Sequence, residues 1–351
     1  MRKLRCASLQ HARLFVFHHQ KEQPMKLATY RNLSPGATGD RLGAVLKDGR
    51  MLDLRLAYAS YLVETEGEGR PYAMANARIP RDMRDFLCGG EPAMAAAGAA
   101  LGYAEEVIAS GGEPAGPDGE LAALKDRHVR LRAPIPHPGK FFHTGLNSNK
   151  HVANTGHAVP ENVPGAPRFD SSLVGHEEPV LYPKQTKMLD YEVEVGFIIG
   201  KYCKDVKPEN AFDAIMGYTV YNDITAREVQ RSAALGGVFL GKNFDTTNPI
   251  GPYIVTADEV PNPESLRVQC RVNGETRQDE LLTDMIFKIP ELIAFYSQMS
   301  LEPGDIISSG TFCGVALEQE DPEPYLLKPG DVVECEVEHV GVLRNPIVAQ
   351  D

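Results

Sequence analysis

Beyond residue 25 the chain opens with the runs KLATYR (26–31) and RLGAVL (41–46), then KDGR and MLDL; this predicts a strand, a turn with Gly49 at its tight position, and a second strand. Helical signals follow at 53–63 and 80–88, and the alanine-rich stretch 92–110 has strong helix propensity. GGEPAGPDGE at 111–120 carries three Gly and two Pro in its first seven residues and predicts a linker. After about residue 130 the texture changes to short apolar runs punctuated by Pro and Gly, among them VLYP, EVEVGFIIG, YTVYNDITA, GPYIVTA, DIISSG and DVVECEVEHVG. That spacing predicts a mostly β body, with IPELIAFYSQM (289–299) as one of a few helices. The fold class expected is therefore α+β and β-rich, without internal repeats or low-complexity tracts.

At roughly 150 residues per domain, 351 residues correspond to about two domains. We expect a small N-terminal domain over 25–120 and a larger β-rich domain over 121–351. Residues 1–24 read differently: they hold five Lys or Arg, no acid before Glu22, and too little serine for a transit peptide. A disordered basic leader or an upstream start codon accounts for them, and they are left out of the fold reasoning.

Composition narrows the functional classes. Apolar residues at 42% and charged residues at 24% suit a globular chain with a real core. Lys and Arg number 36 against 48 Asp and Glu, a net charge of −12 that repels nucleic acid and acidic lipid, and no basic stripe overrides it. The longest apolar stretches, such as VGFIIG at 195–200, fall far short of the roughly 20 residues that span a bilayer. Six cysteines without a CxxC pair read as reduced thiols, and a cytoplasmic location is expected. GxGxxG and GxxxxGK loops are absent, which argues against a phosphate cradle.

The chemistry concentrates in LDYEVEVGFIIGK (189–201). In an extended strand, Asp190, Glu192 and Glu194 share one face and lead straight into an apolar run that should be buried. Three like charges about 7 Å apart on such a face need neutralising, either by a hard divalent cation or by lysines across a solvated sheet face. GYTVYNDITARE adds Asp223 at the end of a second apolar strand, as a third oxygen ligand with Glu192 and Glu194 or as the N-cap of the helix that follows. His151, in a glycine-containing loop, is a surface or capping residue, or a general base if it stands at the mouth of a metal site. Lys242 in GKNFDTTNPIGP and Thr311 in SSGTFCGV are unremarkable alone.

Taken in order, GLN…H, DYEVEVG, GYTVYNDITARE, GKNFDTTNPIGPY, VNGETRQ, MIFKIPELIAFYSQMSLEPGDIISSGTFCGV and LKPGDVVECEVEHVG resemble the fumarylacetoacetate hydrolase family over about residues 130–350. The resemblance implies a mixed β-sandwich or roll catalytic domain, a smaller N-terminal α/β domain, a Mg²⁺ or Mn²⁺ site and a homodimer. It also implies 2-oxo or β-diketo acid substrates that undergo C–C hydrolysis, decarboxylation or enol–keto isomerisation. Carried over by position, Glu192, Glu194 and Asp223 match metal ligands, His151 the catalytic histidine, and Arg227, Gln230, Lys242 and Thr311 the lining of the substrate pocket.

Two departures stand out. Where many short members pair the histidine with a glutamate three residues on, this chain has Asn154, so an acidic partner must come from elsewhere, with Glu161, Glu177 and Glu318 as candidates. In APRFDSSLVG, Arg168 replaces the usual lysine and is either a fork for a substrate carboxylate or a surface loop residue. The Pro- and Gly-rich loop 159–174 is expected to close over the site. The leading expectation is a cation-dependent hydrolase cleaving a C–C bond in a 2,4-dioxo acid, with Lys242 stabilising an oxyanion. The alternative is an isomerase, tautomerase or decarboxylase of hydroxymuconate-type or oxaloacetate-type acids, and a third reading is a catalytically silent metal-binding protein.

Overall fold

Every residue of the strand Val193–Ile199 is buried, which explains why its sequence runs apolar without alternation: it has no solvent face. In the computed structural model, which describes residues 24–350, this strand lies near the middle of the largest sheet. The expected leader, apart from Pro24, falls outside the described residues. The strand pairs antiparallel with Ile215–Asn222 on one side and Ile306–Ser308 on the other, and Ile306–Ser308 runs parallel to Phe141–Thr144. A second sheet of five strands follows the order Glu275–Leu281, Arg267–Val272, Val332–Val337, Gly341–Ala349, Val180–Tyr182.

The two faces of the central strand serve two cores. Val193, Val195, Phe197 and Ile199 join the second sheet and the helix Ile289–Tyr296 in one cluster. Ile198 faces the other way, into a cluster built from the N-terminal helices. Burying a side chain such as Phe197 contributes on the order of 1.5–3 kcal/mol, so both cores hold the sheet flat against its covers.

The N-terminal strands extend the same sheet, since Lys26–Asn32 pairs with Asn248–Thr256 and then with Asp40–Val45. Gly49, at φ +87°, makes the turn into Met51–Asp53. Asp53 then caps the helix Leu54–Tyr61 by accepting from Leu56 N at 3.0 Å. The long helix Gly90–Ala109 turns Ala93, Ala96, Ala97, Ala100 and Ala104 inward, a stripe at helical spacing whose small side chains allow close approach. The helix Pro71–Arg78 escapes the sequence pattern because only Ala75 in it is buried. The 111–120 stretch lacks regular elements but is tied back, with Ser60 Oγ donating to Ala115 O at 2.6 Å. The architecture is the sheet-rich α+β arrangement that the pattern predicts.

Candidate functional site

Antiparallel register assembles the acidic wall. Val193 pairs with Asn222, so Glu192 and Glu194 on one strand and Asp223 after the other reach the same end of the sheet. Asp223 N donates to Glu192 O at 2.9 Å and fixes that end. All three carboxylates are buried, and so is Asp190. Against these four acids stand three buried cations, Arg168, Arg227 and Lys242.

Each cation has a defined place. Lys242 Nζ lies 2.7 Å from Glu192 Oε2 and 2.5 Å from Asp223 Oδ2. Arg227 Nη1 meets Glu192 Oε1 at 2.7 Å, while its Nε donates to Asp190 Oδ2 at 2.8 Å. Gln230 Oε1 accepts from Arg227 Nη1 at 3.1 Å, so it bears on the site through that arginine. Arg168 forks onto Asp223 through Nε (3.0 Å) and Nη2 (2.9 Å), which makes it a buried partner of the wall rather than a surface loop residue. Asp223 is not a helix N-cap: the helix Arg227–Gln230 begins after Ala226.

Electrostatics separate the carboxyls. Burial raises the affinity of Asp223 for a proton, but Arg168 and Lys242 outweigh it and hold the group well below the usual carboxylate range. Glu192 is lowered in the same way by Lys242 and Arg227 against burial. Glu194 goes the other way, since burial and then the neighbouring Asp223 and Glu192 push it well above its ordinary value. Its Oε2 accepts from Gly310 N at 3.1 Å, and its Oε1 is buried without a hydrogen-bond partner. Gly310 sits at φ +81°, where a Cβ would come within 2.8 Å of Thr144 O, so the approach requires glycine.

His143, on the strand Phe141–Thr144, completes this end. Its Nδ1 is 3.2 Å from Asp223 Oδ2, without hydrogen-bond geometry. Burial and then Arg168 push its pKa down to about 4. One donor atom from each of His143, Glu194 and Asp223 lies within 4.8 Å of the others. Within this group two buried donor atoms, His143 Nδ1 and Glu194 Oε1, lack hydrogen-bond partners, and the wall has one more acid than base; both fit a divalent cation, as a donor set of carboxylate oxygens with an imidazole does. Glu192 stands beside this group, with both its oxygens on Lys242 and Arg227. Asp190 leaves the wall: its carboxylate accepts from Ala316 N at 2.9 Å and Leu317 N at 3.1 Å as well as from Arg227.

His151 lies on the short helix Asn149–Thr155 that Ser148 caps. Its Nδ1 contacts Glu318 Oε1, and Glu318 Oε2 accepts from Gly314 N at 2.8 Å and Asn154 Nδ2 at 3.0 Å. Of the three candidate glutamates, Glu318 is the one that meets His151; Glu177 pairs instead with Arg344. His151 is also among the groups that lower Glu192, after Lys242 and Arg227. Thr311 Oγ1 accepts from Gln278 Nε2 at 3.1 Å and donates to Val193 O at 3.3 Å, so it buttresses the strand that carries the wall.

Sequence reasoning left Glu318 as one of three candidates and missed His143, Gln278 and the positioning role of Asp190. Of these only His143 left a local signal, a polar residue that follows Phe141 and Phe142 two positions before GLN. A cavity of about 530 Å³, lined by Pro261 and Asn262 among others, lies away from these side chains. Among the described residues no helix is long and apolar enough to cross a membrane.

Comparison with known proteins identifies the family and the fold. Residues 140–348 match the family described as fumarylacetoacetate (FAA) hydrolase, C-terminal. The chain is 36% identical to the mitochondrial oxaloacetate tautomerase of Xenopus laevis over 271 residues, 77% of this chain and 79% of that protein. Among solved structures, the fumarylacetoacetate hydrolase of Exiguobacterium antarcticum superposes with a TM-score of 0.66 at 29% identity, covering 93% of this chain and 100% of that one. The 5-carboxymethyl-2-hydroxymuconate delta-isomerase of Mycobacterium smegmatis gives 0.64 at 25% identity, again over 93% and 100%.

Proposed function

This chain belongs to the fumarylacetoacetate hydrolase family, and from that premise we propose that it is a cation-assisted tautomerase or isomerase of small 2-oxo acids of the oxaloacetate or hydroxymuconate type. The observation that carries the reading is one proton-handling pair, His151 and Glu318, set against a wall of fixed charge, in a chain 36% identical to an oxaloacetate tautomerase. Glu194 and Asp223, joined by Glu192 once it exchanges its contacts with Lys242 and Arg227, would hold Mg²⁺ or Mn²⁺, which when bound supplies polarisation of a keto oxygen.

The chain's own groups do the rest. Glu318 orients His151 through Nδ1, so Nε2 moves a proton between the carbon next to the carbonyl and either the enol oxygen (tautomerisation) or the far carbon of the shifted double bond (isomerisation). No bond to carbon other than C–H breaks, and no water is consumed. Arg227 and Lys242 line the wall and draw the substrate carboxylate; of the three N–H groups on Lys242, the acids take two. Asn154 supports the pair by donating to Glu318.

A second reading, C–C hydrolysis of a 2,4-dioxo acid, is favoured by the same His151–Glu318 pair, because a carboxylate-backed imidazole can also deprotonate water. Substrate tests divide the two. Fresh enol-oxaloacetate with Mg²⁺ and the protein should lose its ultraviolet enol band faster than the buffer-catalysed rate. An acylpyruvate converted to pyruvate plus free acid, with the enol band decaying only at the buffer rate, would instead establish the hydrolase.

A further inference from the structure

We propose that His143 supplies a nitrogen donor to the cation site, beside Glu194 and Asp223, and that this biases the site toward Mn²⁺ and Co²⁺ over Mg²⁺; the inference rests on the cation-assisted reading above. Three observations converge on it. The ring is 4% exposed and its Nδ1 has no hydrogen-bond partner, although a buried imidazole nitrogen ordinarily finds one. The second unpartnered atom of this end, Glu194 Oε1, belongs to the same three-residue group. The Nδ1 to Asp223 Oδ2 separation of 3.2 Å is close to the spacing of about 3 Å between neighbouring ligand atoms in an octahedron with bonds of about 2.1 Å.

The strand makes the ring's position firm. His143 pairs with Ala166 on the neighbouring strand, and its carbonyl accepts from Tyr296 Oη at 3.1 Å, so the residue is anchored on its backbone while the side chain faces the wall. The groups around it are Asp223, Arg168 and Lys242. Lys242 and Arg168 both already donate to Asp223, so a hard ion held by oxygens alone would compete with two resident cations for that carboxylate. A nitrogen donor adds affinity that those cations cannot take, and imidazole suits Mn²⁺ and Co²⁺ better than Mg²⁺.

Two measurements test this. Calorimetric titration of wild type, His143→Ala and His143→Gln with Mg²⁺, Mn²⁺ and Co²⁺ should show Mn²⁺ and Co²⁺ affinity falling at least about tenfold in both variants, with Mg²⁺ changed by less than about threefold. Electron spin-echo modulation of Mn²⁺-loaded wild type should show coupling to a directly bound nitrogen, a reading that does not depend on how the variants fold. Absent nitrogen coupling, or equal losses for all three ions, overturns the inference and leaves the proposed function standing. Wild type that binds none of the three ions overturns both.

Discussion

Glu192, Glu194 and Asp223 stand on the ends of two paired strands in the middle of a sheet, whereas His151 and Glu318 come from a seven-residue helix and a single 3-10 turn, 167 residues apart in the chain. The strand-built side is knitted into both cores, and its buried acids face the buried cations Arg168, Arg227 and Lys242. The loop-built side is tied down by polar contacts rather than by strand pairing: Ser148 caps the helix and donates to Asp284, Lys150 reaches Asp284 and Glu280, Gly314 N and Asn154 hold Glu318, and Asp190 grips the backbone of 316 and 317. Asp190 is the bridge, since the carboxylate that holds that backbone also accepts from Arg227 on the wall. The contrast suggests a division of labour in which damage to one side unfolds the protein and damage to the other slows it.

The wall gives the largest expected effect. Asp223→Ala leaves Arg168 buried without its carboxylate and Lys242 with only Glu192, and an uncompensated buried charge costs about 3–5 kcal/mol. Urea denaturation should show a loss of that order, and a loss below about 1 kcal/mol would erase the contrast. Glu318→Gln should do the reverse. Glutamine can still accept from Gly314 N but cannot stabilise a protonated His151, so turnover should fall on the order of 10²–10³-fold while stability changes by about 1 kcal/mol or less. Enol-oxaloacetate kinetics beside urea curves read both quantities on the same preparation.

How far the sequence reveals each side follows from the same contrast. The wall is legible because strand geometry is local: alternation places Glu192 and Glu194 together, and an apolar strand ending in Asp223 is its natural antiparallel neighbour. Locality also misleads, for the same alternation puts Asp190 on that face, whereas the chain between 190 and 193 leaves the ladder and turns this carboxylate to Arg227 and residues 316–317. Arg168 is ambiguous in sequence because its partner lies 55 residues away. Glu318 carries no local sign of its role, since nothing in the run VALEQE refers to His151; only the packing of the 3-10 turn against the helix Asn149–Thr155 joins them.

A smaller effect probes how tightly the loop side is closed. Cys313 Sγ donates to Glu280 Oε1 at 2.9 Å, next to the Gly314 amide that holds Glu318. Burial and that hydrogen bond push the thiol up to about 12, so the fraction of reactive thiolate is about 10⁻⁴ at pH 8 and rises tenfold per pH unit. Peptide-resolved iodoacetamide labelling should therefore increase with unit slope and no plateau up to about pH 10, and Glu280→Gln should raise the rate at pH 8 about tenfold. A plateau below pH 10 in the wild type would mean that the loop opens readily and frees the thiol from Glu280.

The smallest expected effect isolates one hydrogen bond of the pair. Asn154 is exposed, and its Nδ2 donates to Glu318 Oε2 at 3.0 Å while Oε1 faces His151. Removing it in Asn154→Ala leaves water to solvate that oxygen, so the net loss should be about 1 kcal/mol or less, a two- to fivefold drop in kcat with KM unchanged. Asn154→Asp keeps the size but sets a second carboxylate beside Glu318, and like charges at that distance share protons rather than ionise together. One of them then holds a proton to higher pH, so the acidic limb of the kcat profile should move upward in Asn154→Asp and stay in place in Asn154→Ala. If both variants shift alike, the amide acts by packing and not by its N–H. If neither differs from wild type, the backbone of 314–317 alone positions Glu318, and the loop side is as self-sufficient as the wall.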